Sequence, residues 1–82
     1  MSKFDKAVRR LLTRPADFSW KELQTIMGKL GYEMHIGSGS RRKFINKETR
    51  HIIILHEPHP GRILKSYALN YIIDELKRQK AI

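Results

Sequence analysis

Leu30-Gly31-Tyr32-Glu33-Met34-His35-Ile36-Gly37-Ser38-Gly39-Ser40-Arg41-Arg42-Lys43-Phe44-Ile45-Asn46 is where the periodicity of the chain changes. Before it, apolar residues recur every three or four positions. Within it they alternate, with Tyr32, Met34 and Ile36 set against Glu33, His35 and Gly37. A period of two is that of a half-buried strand, because successive side chains point to opposite faces. Gly37 to Ser40 is a loop by composition. Arg41 to Asn46 reads as a second strand, with Arg42 and Phe44 on one face and Arg41, Lys43 and Ile45 on the other. Asn46-Lys47-Glu48-Thr49 is a polar turn. His51-Ile52-Ile53-Ile54-Leu55 follows, an almost unbroken β-branched run and so the strand expected to be best covered. Three short strands with tight connections predict an antiparallel meander.

Upstream the period is helical. Phe4, Ala7, Val8, Leu11 and Leu12 predict a helix over residues 3–13, which Pro15 ends by restricting the residue before it. Residues 14–18 form a connector. Ser19 and Glu22 then make a capping box, in which hydroxyl and carboxylate satisfy backbone donors reciprocally, and Phe18 is placed to staple onto Leu23. Trp20, Leu23, Ile26, Met27 and Leu30 supply the stripe of a second helix that Gly31 stops. Downstream, two prolines, a glycine and two histidines keep residues 56–62 irregular. A last helix is predicted from Ile63 to about Gln79, burying Leu64, Tyr67, Ala68, Tyr71, Ile72 and Leu76. The order is α-α-β-β-β-α, an α+β domain with its helices on one face of a three-stranded antiparallel sheet. Residues 1–82 are expected to form one domain, with 1–16 a helical extension and 17–80 the core.

The 82 residues hold 17 Lys and Arg against eight Asp and Glu, a net charge of +9. Such an excess costs stability by self-repulsion and points to a polyanionic partner. Twelve of the cations lie in residues 1–50. There is no cysteine, which excludes disulfides and thiolate metal sites and fits a reducing compartment. No apolar run is long enough to span a bilayer. Arg9, Arg10 and Arg14 interrupt what would have to be a signal peptide. A cytoplasmic protein without a membrane partner is the expectation.

Gly37, Ser38, Gly39, Ser40, Arg41, Arg42 and Lys43 combine exposed backbone N–H groups, hydroxyls and cations, the usual partners of phosphate oxygens. This stretch is the candidate RNA-binding segment. It is not a P-loop, since no Lys-Ser or Lys-Thr pair follows to open a helix. His35 and His51 fall in strands as surface or satisfied structural residues. His56 and His59, flanking Glu57 and Pro58, have two readings: imidazoles that hydrogen-bond backbone in a rigid loop, or groups that act as acid, base or metal ligand. No cofactor or metal site is expected, because a structural zinc site needs four well-spaced ligands.

The order of these features resembles the HicA toxins of bacterial and archaeal toxin–antitoxin pairs. Leu30-Gly31-Tyr32, Gly39-Ser40, Phe44, the aliphatic strand, Pro58-His59-Pro60-Gly61, and a final helix with Leu64-Lys65, Leu69, Ile72 and Ile73 carry the likeness over residues 17–76. The resemblance implies a fold like the double-stranded-RNA-binding domain, cleavage of mRNA without a metal, and silencing by a HicB-type antitoxin. It also implies a catalytic histidine within Gly-Ser-His-x-x-Phe. Here Gly39, Ser40 and Phe44 match, but Arg41 stands at the histidine position. Arginine stays protonated and cannot serve as a base, yet it can bind phosphate and offset charge in a transition state. Two readings follow. In one, His59 or His56 supplies the base beside Arg41. In the other, the domain binds RNA, or an acidic protein, without cutting.

Overall fold

A computed structural model describes residues 2–82. The elements follow the expected order: α1 (Lys3–Leu12), α2 (Trp20–Lys29), β1 (Tyr32–Ile36), β2 (Arg41–Asn46), β3 (Ile52–His56) and α3 (Ser66–Arg78). The sheet is an antiparallel meander in the order β1-β2-β3. The fold is thus an α+β arrangement consistent with that of the double-stranded-RNA-binding domain.

Both N-terminal helices begin at capping boxes. Ser19 Oγ accepts from the Glu22 N–H at 3.2 Å while Glu22 accepts from the Ser19 N–H at 2.8 Å. Ser2 and Asp5 form the same reciprocal pair at α1. Glu22 has a second task. Its carboxylate takes the Arg10 Nε at 2.7 Å, and Arg10 also reaches Asp17 at 3.0 Å and lies over the Phe18 ring. The guanidinium holds the Glu22 carboxyl below its ordinary value, chiefly through that hydrogen bond. Gly31, at φ +94°, ends α2 in the left-handed region that a side chain would disfavour. The chain then turns directly into β1.

One face of the sheet is covered. Phe44 from β2 and Ile53 and Leu55 from β3 meet Leu11 of α1, Trp20, Leu23, Ile26 and Met27 of α2, and Leu69, Ile72, Ile73 and Leu76 of α3 in a single buried cluster. The Trp20 and Phe44 rings lie 5.7 Å apart and tilted, a favourable aromatic geometry. Leu11 is fully buried, so α1 contributes to the same core as the elements that follow.

Three expectations are corrected. The β-branched run is an edge strand rather than the best-covered one: β2 lies between its two neighbours, and β3 buries Ile53 and Leu55 while exposing Ile52 and Ile54. Isoleucine on both faces conceals that alternation in the sequence. The last helix starts at Ser66 rather than Ile63, because Ile63 bridges to Ser19 and the Leu64 N–H bonds to the Phe18 carbonyl. Tyr67 and Tyr71 are exposed, and the core-facing residues of α3 are Ala68, Leu69, Ile72, Ile73 and Leu76.

Candidate functional site

The β1–β2 hairpin is closed by two backbone bonds, Gly37 N–H to Arg41 carbonyl at 2.8 Å and Arg41 N–H to Ser38 carbonyl at 3.1 Å. Gly39 takes φ +58° at the tip, a left-handed conformation that glycine adopts without steric cost. Among the described residues, no protein acceptor meets the N–H groups of Ser38, Gly39 or Ser40. The loop therefore offers three consecutive free donors, the arrangement from which anion-binding nests are made.

The three cations that follow do different things. Arg42 turns to the helix side, where its side chain is only 15% exposed. It bonds Glu57 through Nε at 3.0 Å and the Gly39 and Arg41 carbonyls through Nη1 at 2.9 Å each. Its guanidinium thus braces the loop and fixes Glu57. Arg41 and Lys43 point to the open face of the sheet, Arg41 exposed and Lys43 half-buried beside His35 and Ile54.

Register brings one histidine to this place. Arg41 lies directly opposite His56 across β2 and β3, which sets their Cβ atoms about 5 Å apart on one face. His56 is exposed, and its Nδ1 meets the Ser40 hydroxyl at 3.1 Å. Ser40 is tied in turn, since its carbonyl accepts from the Glu57 N–H at 2.8 Å. A hydroxyl on Nδ1 orients the ring and leaves Nε2 to face solvent. His59 lines the same cleft, a space of about 220 Å³ that also has Ser40, His56, Lys65 and Tyr67 on its walls. A neighbouring cleft runs from it along Gly39, Arg42 and Glu57.

The other two histidines lie elsewhere. His51 is held at both nitrogens, by the Tyr32 hydroxyl at 2.7 Å and by Glu75 at 3.1 Å, and Arg78 fastens Glu75 at 2.7 Å. Burial, with Glu75 adding to it, pushes the Tyr32 hydroxyl above its ordinary value. His35 pairs with Glu33 at 3.4 Å on the exposed sheet face. Lys65 and Tyr67 escaped the sequence reading of the site. Lys65 reads there only as part of the Leu64-Lys65 pair opening the last helix, and Tyr67 sits at a position that helical spacing assigns to the core.

A sheet open on one side, a donor-rich hairpin loop and a cleft walled by histidines and lysine are the features of this small basic α+β domain. A family model described as HicA toxin of bacterial toxin-antitoxin matches residues 20–78. The chain belongs to the HicA toxin family, and α1 lies outside the matched segment. Neither the curated proteins nor the solved structures include a match to the chain. No helix among the described residues is long and apolar enough to cross a membrane.

Proposed function

We propose that this toxin is a metal-independent endoribonuclease that cuts mRNA in the cytoplasm and is silenced by a HicB-type antitoxin. The observation that carries the reading is the pairing of His56 with Arg41. The family resemblance places a catalytic histidine at position 41. Here arginine fills that position, and the neighbouring strand presents an imidazole directly across from it.

The roles follow from the chemistry each group can do. Free N–H groups of Ser38 to Ser40 and the Arg41 guanidinium hold the scissile phosphate. His56 Nε2 takes the proton of the adjacent ribose 2′-hydroxyl. The 2′-oxygen attacks phosphorus, and the bond to the 5′-oxygen breaks. Arg41, with Lys43 on the same face, offsets the charge that grows on the phosphoryl oxygens. His59, protonated, gives its proton to the departing 5′-oxygen. The products are a 2′,3′-cyclic phosphate and a 5′-hydroxyl, with no water or metal consumed in the step. Of the cationic groups in the hairpin, Arg42 has a bracing role, because its Nε and Nη1 donors are taken by Glu57 and the loop carbonyls.

Incubation of the purified protein with RNA in chelator tests this. Cleavage yielding cyclic-phosphate ends is expected, and a His56→Ala, His59→Ala double variant is expected to lose it. Equal cutting by that variant sinks the mechanism. A second reading rests on Arg41 itself, since an arginine at the family's base position suits a module that binds RNA without cutting. RNA retention by the wild-type chain, with a salt slope near 0.7 per neutralised phosphate and no product ends, selects it.

A further inference from the structure

Tyr67 and Tyr71 are the residues whose placement the nuclease reading leaves unused. They are 71% and 41% exposed, and four positions apart on α3 they share one face of the helix. Among the described residues, neither hydroxyl has a hydrogen-bond partner; the tyrosine that does is Tyr32. Tyr67 borders two depressions. One is the cleft that holds Ser40, His56 and His59; the other, on its far side, is lined by Arg14, Pro15 and Lys65. The aromatic ring therefore stands at the rim between the proposed reacting phosphate and a second basic stretch of surface.

The electrostatics around the ring favour an anionic strand. Lys65 occupies the N-cap position of α3 and has no salt-bridge partner among the described residues, and the first turn of α3 has no acidic residue. An exposed aromatic face beside cations free of carboxylate partners, here Lys65 and an Arg14 that bonds only the Asn70 amide and the Leu12 carbonyl, is the surface on which single-stranded nucleic acids lay their bases, because every base has a π-face and the backbone phosphates find the cations. The cleft is small, about 220 Å³. That is below the usual range for drug-sized ligands, so it suits one group of a strand whose remainder lies along the surface outside.

We propose that Tyr67 is a stacking platform for an unpaired nucleobase next to the scissile phosphate, with Tyr71 extending the platform by one helical turn. The inference rests on the nuclease reading for the position of the phosphate. It adds a substrate class. In a duplex both faces of each internal base are covered by its neighbours, so a ring that stacks selects RNA that is single-stranded at the cut, despite a fold associated with double-stranded RNA.

Binding of a fully 2′-O-methylated single-stranded oligoribonucleotide, which cannot be cut, tests this by fluorescence anisotropy. Tyr67→Ala is expected to weaken binding roughly 5- to 100-fold. Tyr67→Phe is expected to bind as wild type, since the ring acts and not its hydroxyl. Affinity for inorganic polyphosphate is expected to be the same in all three proteins, as their charges are equal. An unchanged melting temperature in Tyr67→Ala ties the loss to the ring rather than to folding. Equal affinity of wild type and Tyr67→Ala for the oligonucleotide overturns the stacking proposal alone and leaves the rings to a protein partner. Loss in Tyr67→Phe as large as in Tyr67→Ala overturns it too, by assigning the effect to the hydroxyl. Absence of RNA binding by the wild-type chain overturns the nuclease reading and the stacking proposal together.

Discussion

Strand β3 is flanked by two histidines that live in opposite circumstances. His51, just before its first residue, is 12% exposed at the side chain and is held at both ring nitrogens by Tyr32 and Glu75. His56, its last residue, is exposed and held at one nitrogen only, by Ser40. The first imidazole is a structural clasp between β1, β3 and α3. The second is oriented and still has a nitrogen to offer. Four residues separate two identical side chains. The two imidazoles differ in how many of the ring's bonds the fold has already used.

Substitutions at the closed end of β3 sharpen the contrast. His51→Ala strands the Tyr32 hydroxyl and one oxygen of a largely buried Glu75 carboxylate, whose other oxygen keeps Arg78, and it is expected to cost ~2–3 kcal/mol. For a domain of this size that lowers the melting temperature by roughly ten degrees or more, readable by circular dichroism. Tyr32→Phe removes one bond of the same clasp and is expected to cost ~1 kcal/mol. It also changes the response to alkali. The Tyr32 hydroxyl is pushed up in the folded state, so its contribution is complete below the ordinary tyrosine value of about 10 and fades as the pH rises past it. Urea midpoints between pH 9 and 11 are expected to fall less steeply in Tyr32→Phe than in wild type.

The same comparison applies across β2. Arg42→Ala breaks the brace that ties the hairpin loop to Glu57 and is expected to cost ~1 kcal/mol, modest because Glu57 is partly in water. Arg41→Ala, whose guanidinium makes no such contacts, is expected to leave the stability within ~0.5 kcal/mol of wild type while weakening RNA binding and reducing its salt slope by about 0.7. At the open end of β3, His56→Ala is likewise expected to change stability by no more than ~0.5 kcal/mol. A melting temperature that drops as far in His56→Ala as in His51→Ala breaks the comparison.

Much of the fold is written in local signals. The Ser19–Glu22 box, Gly31, the shift to period two at Tyr32 and the Gly-Ser loop each name an element by a mechanism that acts within a few residues, and each element is where those signals put it. Errors arise where apolar character is ambiguous. Ile52, Ile53 and Ile54 give no hint of which face is wet. Tyr67 and Tyr71 match a helical stripe as well as Leu69 and Ile73 do, and only packing against the sheet rotates the tyrosines outward. The site was legible in part. The Gly37–Lys43 segment and both histidines are visible as a composition. That Arg42 turns inward while Arg41 meets His56 depends on a register fixed by the Asn46–Thr49 turn, where the Asn46 carboxamide oxygen accepts from the Glu48 and Thr49 N–H groups. Cross-strand neighbours fifteen residues apart leave no mark on a linear pattern.

The most direct test exchanges the two members of that cross-strand pair. RNA cleavage in chelator is measured for His56→Ala, for Arg41→Ala, and for the double exchange Arg41→His with His56→Arg. Removal of the base is expected to slow cutting by about 10²–10⁴-fold, loss of the guanidinium to slow it too, and the exchange, which restores imidazole and guanidinium on the same face, to recover most of the rate. Undiminished cleavage by His56→Ala contradicts the assignment of the base to β3.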